Sequence, residues 1–524
     1  MSAATDASDI GQGDTPAKKK KNVKTFLSKL PVGSVVVSPD GTKWEVINTD
    51  EVSAGRRAQH NVLRDQPSPS PHAKRYVIGG IASSSWRLLI DERMLKHIRE
   101  CTDKEARRVL VSDDWSLSPY ELDAFLGVLY LRSATESKGM DIHLLWSEKY
   151  GFPFIKNVMS RNRFVEILRF LRFDDKSSRS QRLKTDKFAC VSEVFYAFDA
   201  NCQSAYVPGP YISVDEQLFP SKVRCGFTQF MASKPDKYGQ KYWMAVDENS
   251  KFVVNVFPYL GKDEERSSKD RLGDYVVKKL VGPYLNKGRN VTCDNFFTSL
   301  TLAKSLKSQK TSLVGTVNKA RREIPACVKN GREELFSTKA FKTDDITLTA
   351  YQRKTKKNVL VLSSMHPDVN IERGVKPKPE TVSFYNASKY GVDVVDQMCR
   401  KYSVKSSCRR WPFHTWCNVQ DLAGINSWIL HKELTGENIS RRDFLFKLGE
   451  ELVKPLVESK NALAADMALS VSSGQRRRCQ IRLFCKEGKS AYECNSCRKP
   501  VCKKCIGGTA YICSSCKPDS EEEM

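Results

Sequence analysis

Apolar positions recur along this chain with two different periods, and the change between them divides it. From about 85 to 205 the period is helical. Ser118-Pro-Tyr-Glu121 is a capping box with Pro at the first helical position. Leu122, Phe125, Leu126 and Leu129 then follow at the spacing of one buried helical face. A second amphipathic helix is predicted from Ser160 to Asp175, with Phe164, Ile167, Leu168 and Leu171 as its apolar stripe and Arg161, Arg163, Arg169 and Arg172 outside it. Near residue 210 short β-branched and aromatic runs take over: Tyr211–Asp215, Lys241–Asp247, Phe252–Phe257, Asn290–Asp294 and Ser312–Val317 read as strands. Between them Tyr275–Leu285 is helix-like until Gly282-Pro283 stops it, and Phe296–Leu306 reads as a further helix. This order gives an α/β core with a mixed sheet. Residues 319–380 are polar, basic and rich in short strands, as an insertion would be. After 385 the chain is helical again to about 468, beginning with Tyr385–Met398 as one helix. The stretch before residue 82 is rich in Ser, Pro, Gly, Asp and Lys. It reads as a loose arm holding one small hairpin, Val35–Ile47 around Pro39-Asp-Gly41, and a linker, Gln66–Pro71.

Composition adds a partner to this outline. The 524 residues suit three or four structural units at about 100–200 residues each. The longest apolar run, Phe125–Leu131, is far short of the roughly 20 residues of a membrane span, and the first residues carry no apolar signal core. A soluble, intracellular protein without a membrane partner is expected. The net charge of +25 calls for a polyanion, since each Lys or Arg that meets a phosphate releases counterions, and no basic amphipathic helix favours a lipid surface over nucleic acid. The run Pro16–Lys24 reads as a nuclear import signal, a nucleic-acid contact or a solvated tail.

Asp215 and Asp294 each close an apolar strand, where a strand fixes the side chain and the following loop leaves it open to a ligand. Asp393 and Asp396, three residues apart, share one face of a helix. Converging carboxylates repel unless they bind cations, and hard oxygen ligands suit Mg²⁺. Taken singly, an Asp at a strand end is more often a turn former or cap. No Walker loop, His-Glu-x-x-His or Gly-x-Ser-x-Gly is present, which removes several rival chemistries.

The cysteines divide in two. Nine of the 17 are scattered and read as buried thiols, whereas Cys479, Cys485, Cys494, Cys497, Cys502, Cys505, Cys513 and Cys516 crowd the last segment with three Cys-x2-Cys knuckles. That spacing is a zinc pattern, because a segment so short cannot build a core otherwise. Eight thiolates hold two Zn²⁺, and four successive pairs can be shared in three ways. Residues 476–517 also carry 11 basic and two acidic side chains, so the folded module stays positive after the thiolates and metal are counted.

Together these residues carry a resemblance. Val214-Asp-Glu-Gln217, Ser233-Lys-Pro-Asp-Lys-Tyr-Gly-Gln-Lys241, Pro258-Tyr-Leu-Gly261, Val291-Thr-Cys-Asp-Asn-Phe-Phe-Thr-Ser299, Gly315-Thr-Val317, Arg322-Glu-Ile-Pro325, Gly391-Val-Asp-Val-Val-Asp-Gln-Met398 and Arg410-Trp-Pro412 resemble, in order, the piggyBac family of DNA transposases. The resemblance implies a multidomain α/β protein: an RNase H-like catalytic core (209–318 and the helix 381–402) interrupted by an insertion domain (319–380). A mainly helical dimerisation and DNA-binding domain (83–208 and 403–470), a cross-brace zinc finger (476–517) and a mostly disordered basic arm (1–82) complete it. It implies Asp215, Asp294 and Asp393 as a triad for two Mg²⁺, with Mn²⁺ able to substitute, and Asp396 as a fourth catalytic carboxylate. The implied reaction is cut-and-paste, through hairpin ends, into TTAA targets. Trp411, after Arg409 and Arg410, matches a family aromatic near target DNA. Lys234, Lys237 and Lys241, with Lys319, Arg321 and Arg322, are the phosphate contacts expected, although Asn318 stands where an Arg belongs. Cys479, Cys485, Cys502 and Cys505 would share one zinc, and Cys494, Cys497, Cys513 and Cys516 the other. The first pair departs from the family's x2 spacing. The expected partners are double-stranded DNA, at the element's terminal repeats and its target, and a second copy of the chain. The expected compartment is the nucleus, with no small-molecule substrate. A transposase-derived DNA- or chromatin-binding protein that no longer cuts is the alternative. A purely structural nuclear protein would leave the aimed carboxylates without a role.

Overall fold

The computed structural model describes residues 30–49, 62–262, 266–268, 270–329, 333–405, 408–469 and, in the last segment, 477–481, 489–490, 492–494, 497 and 499–506. The chain forms two compact units. One comprises residues up to Gln66, Gly209–Asp215 and Glu264–Gly391; the other comprises Pro67–Pro208, Glu216–Asp263 and the chain from Val392 on. The run Pro16–Lys24 lies outside the described residues.

The first unit is built on three parallel strands. Tyr211–Val214 pairs with Asn290–Cys293, and that strand pairs with Ser312–Thr316. Parallel strands are covered on both faces, and Asn290–Cys293 is buried throughout, which explains its unbroken run of compact side chains. Antiparallel strands continue the sheet from Ser312–Thr316 through Lys357–Ser363, Ile346–Lys354 and Thr338–Thr343 to Lys43–Ile47 and Val35–Val37. Two expectations change here. The hairpin assigned to a loose arm is an edge of this sheet, because Trp44 and Val46 alternate inward and the Trp44 indole donates to the Glu323 carbonyl at 2.9 Å. The strands of 338–363, expected in an insertion, extend the same sheet.

The turn after Asp294 delays the helix expected from Phe296. Asp294 Oδ1 accepts the Phe296 N–H at 2.9 Å, its carbonyl accepts from Thr298, and the helix Leu300–Ser308 starts only after the cap Ser299. Gly315 makes room for this turn: a Cβ there would lie 2.1 Å from Thr298 Oγ1 and 2.5 Å from the Cys293 carbonyl oxygen. Gly315→Ala is therefore expected to cost roughly 2–3 kcal/mol, read as a lower denaturation midpoint. The segment expected as one helix from Tyr385 is two, Glu380–Ser388 and Gly391–Lys401. Ser388 is hydrogen-bonded to Thr292 at 2.9 Å, and the chain turns at Lys389 and Tyr390 before the second helix begins.

The second unit is mainly helical. The capping box at Ser118 and Glu121 forms as the sequence predicts, and Pro119–Ala134 is buried along most of its length. It packs on Arg441–Leu469 with Gly127 facing Gly449, where a Cβ on Gly127 would meet the Gly449 carbonyl at 2.8 Å. Trp411–Thr435 is also almost wholly buried and ends at Gly436 in the left-handed region. Some of its polar side chains bond inside the unit: Tyr130 donates to Gln420 and accepts from the Trp86 indole at 2.8 Å, and Asn418 donates to Gln217 at 2.8 Å, while Trp416 Nε1, Asn418 Oδ1, Gln420 Nε2 and His431 Nδ1 are buried without a partner among the described residues. The arginines outside the apolar stripe of Arg161–Phe170 divide. Arg163 ties that helix to Glu121 at 2.8 Å, and Arg172 pairs with Glu105 at 2.8 Å, while Arg161 and Arg169 stay exposed.

Burial holds the Asp421 carboxyl up at about 7, against the Ser403 hydroxyl and Val404 N–H that bond it. A carboxyl that keeps its proton more tightly folded than unfolded makes stability fall as pH rises from about 4 to about 7 and level off above. Asp421→Asn keeps the network, since the Ser403 hydroxyl can turn to accept. Its stability relative to the wild type is expected to rise across that window by on the order of 2 kcal/mol, measured as urea midpoints at pH 5 and pH 8.

Candidate active site

Asp215 and Asp294 are brought together by register. Val214 pairs with Cys293 on adjacent parallel strands about 4.8 Å apart, so the next residues, Asp215 and Asp294, stand side by side; Asp294 follows the last residue of its strand, whereas Asp215, expected to close one, lies within Tyr211–Pro220, which continues past it. Both are partly exposed. Their joint field is felt nearby: Tyr385 is pushed up to about 12, by burial first and then by the charges of Asp294 and Asp215, and both also raise the buried Cys293 thiol. The loop beyond Asp294 is held from outside. Arg271 donates to the Phe296 carbonyl at 2.9 Å and pairs with Asp274 at 2.7 Å, and Arg321 donates to the Asn295 and Phe296 carbonyls at 3.3 and 3.2 Å. Arg321, expected on phosphate, thus props the loop of Asp294, with its ionised form disfavoured by burial and by Arg271. Lys319 is half-buried, and burial lowers its ammonium as well; Arg322 is exposed.

In the second unit Asp393 sits in the first turn of Gly391–Lys401, where free N–H groups favour an anion, and Asp396 follows on the buried side. Burial raises the Asp396 carboxyl, opposed by Arg400 at 3.3 Å and by Lys234. Lys234 lies 3.8 Å from Asp393 and donates to the Glu216 carbonyl at 3.1 Å. Lys241 lies 3.6 Å from Glu216 and 3.9 Å from the Trp243 ring centre, and Lys237 is exposed. Arg410 donates to the carbonyls of Leu168 and Leu171, closing the end of the helix Arg161–Phe170. Trp411 stacks on Phe188 and meets Phe227 edge-on, while Arg409 is exposed.

A basic cleft of about 810 Å³ in this unit was not legible in the chain. Arg409 shares it with Lys138, Lys222, Arg224, Arg400 and Lys405. The alternating Lys222-Val-Arg224 just past the strand Tyr211–Pro220 was the available signal; Lys138 and Lys405 reach it only through the fold. His414 borders the cleft and is held neutral, its pKa down at about 4 through burial and then Lys405, with Nε2 facing the Cys408 carbonyl at 2.8 Å and Nδ1 facing Ser221 at 2.9 Å.

In the C-terminal segment the thiols of Cys479, Cys502 and Cys505 lie within 4.8 Å of one another. Cys502 and Cys505 are buried at either end of one turn, joined by a 2.9 Å bond from the Cys505 N–H to the Cys502 carbonyl. Burial pushes the Cys479 thiol up, but the N–H groups of Ile481 and Cys502 and the neighbouring thiols outweigh it and bring it to about 7. Three such sulfurs fit zinc. Cys494 and Cys497 are described nearby, while Cys485, Cys513 and Cys516 lie outside the described residues.

Carboxylates set side by side on adjacent parallel strands, in a chain of net charge +25, point to the class of proteins that process nucleic acid. Residues 82–428, well over half of the chain, match the family described as Transposase IS4, and the chain belongs to this family of transposases, in its piggyBac type. PiggyBac transposable element-derived protein 3 of Homo sapiens is 24% identical over 348 residues, covering 60% of this chain and 56% of that protein. The Chimeric ERCC6-PGBD3 protein of Homo sapiens is 24% identical over 348 residues, covering 60% of this chain and 31% of its own. The chain therefore spans less than two thirds of the length of these curated relatives. A solved piggyBac transposase synaptic complex with hairpin DNA matches with a TM-score of 0.71 and 28% identity, covering 86% of this chain and 100% of that one. DDE-type transposases use divalent metal, and the carboxylates of Asp215 and Asp294 are donors of the hard oxygen kind that such an ion takes.

Proposed function

We propose that this chain is an active cut-and-paste DNA transposase, and the observation that carries the reading is the register that sets Asp215 beside Asp294. The sheet around them is the RNase H-like core of the family, and Asp393 is the third metal ligand, with Asp396 behind it. Two Mg²⁺, when bound, supply an activated water or hydroxyl and stabilise the leaving oxygen of a phosphodiester. The chain's own part is positional. The strands fix Asp215 and Asp294, and Arg271 and Arg321 hold the loop that orients Asp294. In sequence, a water nicks the element end, the freed 3′-OH attacks the opposite strand and leaves a hairpin, and the reopened end joins a TTAA target. No protein nucleophile is required. The basic cleft of the helical unit and the C-terminal finger, with two Zn²⁺ on eight cysteines, supply DNA contacts at target and terminal repeats; the working form is a homodimer in the nucleus.

The name of one human relative, transposable element-derived, favours a second reading: a DNA- or chromatin-binding protein without cleavage. Excision from a plasmid carrying cognate ends separates the two. Excised, resealed plasmid supports the transposase, and its absence with matched ends, while DNA binding persists, supports the second reading.

A further inference from the structure

Lys234 is the cation that the structure places against Asp393, and nothing in the reaction outlined above uses it. Its ammonium is tethered on both sides, 3.1 Å from the Glu216 carbonyl oxygen and 3.8 Å from Asp393 Oδ1. The Lys234 side chain is only 14% exposed, while Asp393 is 48% exposed and open to a ligand. The other cation on this helix face, Arg400, is engaged elsewhere, at 2.7 Å from Asp236 and 3.3 Å from Asp396. So Asp396 is paired with Arg400 and feels Lys234 as well, whereas the cation held against Asp393 is the one flexible amine of Lys234. A hard dication and an ammonium seek the same carboxylate oxygens, and both cannot hold them at full strength.

We infer that Lys234 is an internal counter-ion that occupies Asp393 in the metal-free chain, keeps that side of the site ordered, and sets a threshold that the divalent ion must exceed to bind. This rests on Asp393 being a metal ligand. Lys234 is a positioning residue in this account. It tunes metal affinity through Asp393, and its ammonium, once displaced, is left beside the Glu216 carbonyl that already accepts from it.

The test is direct titration of the zinc-loaded full chain with Mn²⁺, followed by electron paramagnetic resonance and calorimetry, with the Mn²⁺ lost in Asp294→Ala taken as the site of interest. Lys234→Gln and Lys234→Met, the second keeping the apolar stem, are expected to bind that Mn²⁺ on the order of tenfold tighter, and Lys234→Arg within about twofold of wild type. Without added Mn²⁺ the two neutral variants should melt earlier, and Mn²⁺ should raise their melting temperature by more than it raises the wild type's. Unchanged or weaker Mn²⁺ binding in both neutral variants overturns the role of Lys234. A wild type whose Mn²⁺ binding is indifferent to Asp294→Ala overturns the metal site itself, which is a different failure.

Discussion

Asp294→Asn is expected to abolish excision, by about a thousandfold or more, while leaving folding and DNA binding near wild type. Asn is the informative substitution because Asp294 has two duties. Its Oδ1 accepts the Phe296 N–H at 2.9 Å and so starts the turn that leads into the helix Leu300–Ser308. An Asn carbonyl oxygen can accept that bond equally well, so the turn, the Ser299 cap and the support from Arg271 and Arg321 should survive. What is removed is a negative charge beside Asp215, and with it the pair's hold on a divalent ion. Three powers of ten correspond to about 4 kcal/mol of lost transition-state stabilisation, the scale on which an activated nucleophile contributes. The measurements are excised plasmid per hour, the melting temperature and the affinity for a terminal-repeat duplex. Excision equal to wild type would remove Asp294 from the site, and a fall in melting temperature of many degrees would show that the turn, not the charge, had been damaged.

The legible parts of this protein were those written in local pattern. The capping box at Ser118, the strand that leads into Asp294 and the knuckle Cys502–Cys505 each need only a few neighbouring residues to be recognised, and each stands where the pattern put it, whereas the strand of Asp215 runs on to Pro220. Register was not legible: that Val214 pairs with Cys293 depends on two strands some 80 residues apart, and no periodicity along one strand reports its partner. The hairpin at Val35–Ile47 was misassigned for the same reason, since its alternation marks a buried face without saying that Phe341 stands opposite Val46. Individual basic residues were the hardest. Arg321, Arg410 and Lys234 look alike in the chain, yet one props a loop, one closes a helix end and one faces Asp393. Burial and the nearest carbonyl decide among these, and both are products of the fold.

Cys502→Ser is expected to remove one zinc per chain and to weaken binding to terminal-repeat DNA by at least tenfold, with the chain before the cysteine segment still melting as in the wild type. Among the described residues of this segment, Cys494, Val501, Cys502 and Cys505 form a small buried cluster with Ile481 and Tyr492 packed against it, far too little apolar surface to hold a fold. The three sulfurs of Cys479, Cys502 and Cys505 must therefore supply the stability through metal, and an alcohol in place of one thiolate leaves a site that zinc holds poorly. Because Cys502 also lies in the cluster, loss of its ion should loosen the backbone that presents Lys499, Lys503 and Lys504, and the phosphate contacts go with it. Zinc is counted by atomic absorption after dialysis, and affinity by anisotropy of a labelled duplex at two salt concentrations. Full zinc content in the variant would exclude Cys502 as a ligand. Lost zinc with unchanged terminal-repeat affinity would separate the finger from DNA and turn it towards a protein partner. The same loss with reduced excision but intact DNA affinity would place the finger in assembly of the complex, not in reading the element's ends.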